Sequence, residues 1–130
     1  MTSITVSPNP APVSAELSLT IEFKTDRLIK HGKWDIKFMV DCAARRHILP
    51  LGEIQPQEYQ IDTLHQMEFK TSSIDFSNVS RSDLLNIGLL QACLYDIDEG
   101  EAIIELNLVT QISKDEETSQ LRRTIYHPLE

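Results

Sequence analysis

Apolar and polar residues alternate strictly along Leu17-Ser-Leu-Thr-Ile-Glu-Phe-Lys-Thr25. Leu17, Leu19, Ile21 and Phe23 fall on one side, and Glu16, Ser18, Thr20, Glu22 and Lys24 on the other. A period of two predicts a strand over Glu16–Thr25 with one buried and one wet face. The pattern returns in Trp34-Asp-Ile-Lys-Phe-Met-Val40, where Trp34, Ile36 and Phe38 oppose Asp35 and Lys37. That predicts a second strand, Trp34–Asp41, antiparallel to the first across the polar link Asp26–Lys33. A third run, Leu64–Thr71, sends Leu64, Met67 and Phe69 inward. Upstream, Ile4–Val6 is a short strand, and the prolines of Ser7–Pro12, which cannot donate ladder hydrogen bonds, make an extended connection.

The second half is more apolar. Leu85–Tyr95 carries Ile87, Leu89, Leu90, Cys93 and Leu94, apolar on both faces, which predicts a central strand covered on both sides. Asp96-Ile-Asp-Glu-Gly100 is a turn, so Glu101–Gln111 pairs back as a hairpin. Ala43–His47 reads as a loop before the apolar run Ile48–Leu51. Gly52–Thr63 reads as irregular, with short pairings at Glu53-Ile54 and Tyr59–Ile61. Ser80–Leu85 is the one helical signal, a single turn capped by Ser80 or Ser82 with Asp83 in its first turn. Ile112–Glu130 is charged and is expected to lie outside the core. These elements predict an all-β, immunoglobulin-like β-sandwich with one short helical turn over residues 1–111, followed by a tail over 112–130.

Length and charge narrow the roles open to such a domain. At 130 residues the chain is one domain able to build a core without covalent staples. Its net charge of −8 repels nucleic-acid phosphates and anionic lipid; it either serves only to keep the chain in solution or also attracts basic proteins. No basic-then-apolar segment opens the chain, and no apolar run approaches the ~18–20 residues of a membrane helix. An intracellular protein is expected, with Cys42 and Cys93 as buried reduced thiols and the Asn78-Val79-Ser80 sequon unused.

Catalytic and ligand-binding patterns are missing. His31, His47, His65 and His127 have no metal-ligand spacing. Asp96-Ile-Asp98-Glu99-Gly100 resembles the start of a calcium loop without its remaining ligands, and reads as a solvated hairpin tip or a local negative patch. There is no nucleophile elbow and no phosphate-binding glycine loop. No enzyme, cofactor or metal is expected.

Taken in order over residues 4–111, the strand sequences resemble the anti-silencing histone chaperone family. Leu17-Ser-Leu-Thr-Ile-Glu-Phe is similar to its second strand and Trp34-Asp-Ile-Lys-Phe-Met-Val to its tryptophan-led third. Ser82-Asp83-Leu-Leu and the run ending Cys93-Leu-Tyr95 resemble its helical turn and central strand. The resemblance implies an immunoglobulin-like fold and non-enzymatic binding of the dimer of histones three and four. The family's central apolar contact, a valine, aligns with Gly88, or with Leu89 if the register slips by one. The tyrosine-bearing part of the next strand becomes Leu106-Asn-Leu-Val109. The acidic segment that docks basic peptides becomes His31-Gly-Lys33. Gln120–Pro128 resembles a late segment of the family, but its following strand is absent.

With the scaffold kept and the docking residues changed, the expected role is a non-catalytic protein–protein interaction module. It would be a structural subunit of a larger assembly in the cytoplasm or cilium, for which an axoneme is one suitable setting. The expected partner-binding residues are Gly88, Leu90, Ala92 and Leu94 as an exposed sheet face, with Asp96, Asp98, Glu99, Leu106 and Leu108. The alternative is a nuclear histone chaperone for the same histone dimer. Neither reading involves direct nucleic-acid or membrane contact.

Overall fold

A computed structural model describes residues 3–42, 45–76, 79 and 87–126. The strands are β1 (Ser3–Ser7), β2 (Ala11–Pro12), β3 (Leu17–Phe23), β4 (Ile29–Cys42), β5 (Arg45–Tyr59), β6 (His65–Thr71), β7 (Ile87–Asp96), β8 (Glu101–Lys114) and β9 (Leu121–Ile125). They form a three-stranded sheet of order β1-β3-β6 and a six-stranded sheet of order β2-β9-β8-β7-β4-β5, with all sheet pairings antiparallel. The all-β class is therefore as expected, and no helix occurs among the described residues. The expected helical turn, Ser80–Leu85, lies outside them.

The alternation that opens the chain fixes the smaller sheet. Leu19 stands between Val6 and Phe69, and Ile21 between Ile4 and Met67. A one-residue slip would turn this whole set outward, so burial holds the register. Its inner face meets that of β4, where Trp34, Ile36, Phe38 and Val40 are all buried. Phe23 stands edge-on to Trp34 and to Tyr59, with ring centroids 5.2 Å apart in each case. Edge-to-face packing adds an electrostatic term to the burial of three large rings.

Five expectations change. The Glu16–Thr25 and Trp34–Asp41 runs do not pair with each other: β3 and β4 lie in different sheets, and β4 already begins at Ile29, inside the expected link. Leu64 is exposed rather than inward, just ahead of β6. The segment from Arg45 to Tyr59, expected as loop, apolar run and irregular chain, is one 15-residue strand. Pro50 and Pro56 lie within it, and β5 tolerates them because it is the sheet's edge, paired only with β4. The charged tail is not separate: β8 continues to Lys114, β9 pairs with it, and Ile112, Leu121, Arg123 and Ile125 are buried. Finally, β7 is fully covered on one side only: on the other, Cys93 is buried but Ile87 is exposed and Leu89, Gln91 and Tyr95 are half-buried.

Two polar side chains close the β9 edge. Asn9 acts as a strand would, its Nδ2 donating to Ile125 O at 2.8 Å and its Oδ1 accepting from Ile125 N at 2.9 Å. The buried Arg123 guanidinium donates to the carbonyls of Val13 and Ala15, at 3.1 and 2.9 Å, and to that of Glu16. It ties the crossover between sheets to β9, although burial pushes its pKa below the usual arginine value.

Candidate protein-interaction face

The two sides of β7 have different fates. Gly88, Leu90, Ala92, Leu94 and Asp96 point inward, and Leu90, Ala92 and Leu94 are at most 1% exposed. Leu106 and Leu108 of β8 are buried with them. The expected exposed face is thus the core face of the larger sheet, and an apolar patch there is corrected. These side chains are occupied against Trp34, Ile36 and Phe38, their cross-strand partners' row.

Gly88 shows how tightly that side is filled. A Cβ at this position would stand 2.8 Å from both Met39 O and a Phe38 ring carbon. The first of these is backbone and cannot swing away. Glycine is therefore a packing requirement, and no larger anchor could occupy this site.

The outward residues of the same strands align differently. Met39 of β4 pairs with Ile48 of β5 on one side and Leu89 of β7 on the other, and Leu89 pairs with Val109 of β8. Tyr126, just past β9, donates its N–H to Val109 O at 2.9 Å and so lies beside Val109. The result is one apolar row, Ile48–Met39–Leu89–Val109–Tyr126, across five adjacent chain segments. At ~4.8 Å per strand it is about 19 Å long. Ile48, Val109 and Tyr126 are 52%, 44% and 50% exposed, Met39 and Leu89 are half-buried, and Ile87 adds a fourth exposed apolar side chain nearby. Single exposed apolar residues are ordinary, whereas a contiguous set marks a place for contact.

Two further rows run alongside. Pro50, Lys37, Gln91 and Asn107 form the next, with Gln91 Nε2 donating to Asn107 Oδ1 at 2.8 Å. Beyond it stand Glu53, Asp35, Cys93 and Glu105. Two outward steps of ~6.8 Å put these carboxylates about 14 Å from the apolar row. Lys33 Nζ meets Glu53 Oε2 at 2.7 Å, and that hydrogen bond and charge raise the lysine pKa. Asp35 and Glu105 flank Cys93, whose thiol is pushed up chiefly by burial.

The acidic residues expected at the site part company. Asp96 is buried and shapes the hairpin: its Oδ1 accepts from Asp98 N and Glu99 N, and its carbonyl from Gly100 N. Gly100 completes that turn at φ +64°, a left-handed conformation that glycine adopts without steric cost. Asp98 is exposed and sits 2.8 Å from His31 Nδ1; Glu99 is exposed as well. Both lie in the turn beyond β7, whose last residue, Asp96, is itself seven residues or roughly 24 Å from Leu89, so they do not join the apolar row.

The row was missed because adjacent Leu89 and Leu90 give β7 no visible parity. A usable signal was the strict inward set Trp34, Ile36, Phe38, Val40, which leaves Met39 facing outward with whatever pairs beside it. No helix among the described residues is long and apolar enough to cross a membrane. A scan against protein-family models finds no match for this chain, and a search of curated proteins likewise finds none.

Proposed function

We propose that the chain is a non-catalytic protein–protein interaction module, an immunoglobulin-like β-sandwich serving as a structural subunit of a larger protein assembly. The observation that supports this is the contiguous apolar row on the outer face of the six-stranded sheet. Its length matches three to four turns of an amphipathic helix laid across the strands. Specific interfaces draw most of their affinity from a few central apolar or aromatic side chains, and Met39 and Leu89 occupy the middle of this row. The cytoplasm or a cilium suits the reading, and it calls for no cofactor.

Its test is affinity capture from native cells with the wild-type chain and with a Leu89→Glu/Val109→Glu variant. The same assembly should be recovered by the first and lost at least tenfold with the second, while circular dichroism and thermal midpoint stay close to wild type. Equal recovery by a folded variant would remove the row from the interface.

A second reading, a nuclear chaperone for the dimer of histones three and four, is favoured by one detail. With Gly88 packed inward, the apolar contact that the family resemblance calls for falls on Leu89, which does face outward. Asp35 and Glu105 on the same face suit a basic client. Titration with recombinant histone dimer separates the two readings: a chaperone binds it in a salt-sensitive way, whereas a fixed subunit ignores it.

A further inference from the structure

We draw no further inference here: the strongest candidate, the exposed apolar residues Leu28, Ile61, Leu64 and Ile97 at the end of the molecule where β3, β4, β5, β6 and β7 meet, carries nothing because nothing in the structure shows what covers it.

Discussion

Gly88 and Leu89 are neighbours in the chain with opposite roles, and substitutions should separate them. Gly88→Val forces a branched side chain against Met39 O and the Phe38 ring, and overpacking of this kind costs about 1–3 kcal/mol. Leu89→Ser, on the half-exposed side, should cost less than about 1 kcal/mol. Urea unfolding of both variants checks the difference, and equal losses would show the strand's parity to be wrong. Titration offers a second test at this scale. Burial raises the pKa of Cys93 and Tyr59 above their ordinary values of 9.0 and 10.0. Above pH 9 the unfolded chain releases protons that the folded chain keeps, so stability must fall as pH rises. Tyr59→Phe should flatten the part of that fall above pH 10. Urea midpoints that stay level from pH 8 to 10.5 would contradict it.

At the scale of elements, the strands with one apolar side were legible in the sequence and the others were not. Leu17–Phe23 alternates without interruption, so β3 was placed within two residues at either end. β5 looks broken in the sequence because Pro50, Gly52 and Pro56 punctuate it. Those residues argue against a central strand but not against an edge, and edge position depends on the order of the whole sheet. The tail hides its strand for a related reason. Leu121, Arg123 and Ile125 alternate correctly, but an arginine in the inward set disguises the pattern; only the carbonyls at residues 13, 15 and 16 make its burial tolerable. The sequence shows where the acidic hairpin falls, but not that the Asp96 carboxylate serves the turn rather than a partner. These placements imply a gradient of stability. Amide hydrogen exchange should be slowest in β4 and β7, which have ladder partners on both sides, and faster along β5 between Gly52 and Tyr59. Protection of β5 equal to that of β7 would mean that its open edge is covered in solution.

For the molecule as a whole, the core consumes the residues that looked most like a binding surface, and the proposed interface lies on the reverse side of the same sheet. The two proposed readings share a protein partner and differ on which one. Neither reading needs the hairpin tip, since Asp98 and Glu99 lie far from the apolar row. Both need Met39 and Leu89 to be covered when the partner is bound.

Methionine oxidation reports that directly. Met39 is half-exposed at the centre of the row, whereas Met67 is 2% exposed in the core and supplies an internal reference. Brief hydroxyl-radical footprinting of the free chain and of the chain within its native assembly, read by peptide mass spectrometry, measures the oxidation of each sulfur. Met39 should oxidise readily in the free chain and be protected several-fold in the assembly, with Met67 protected in both. Equal oxidation of Met39 in the two states would show that the partner binds elsewhere.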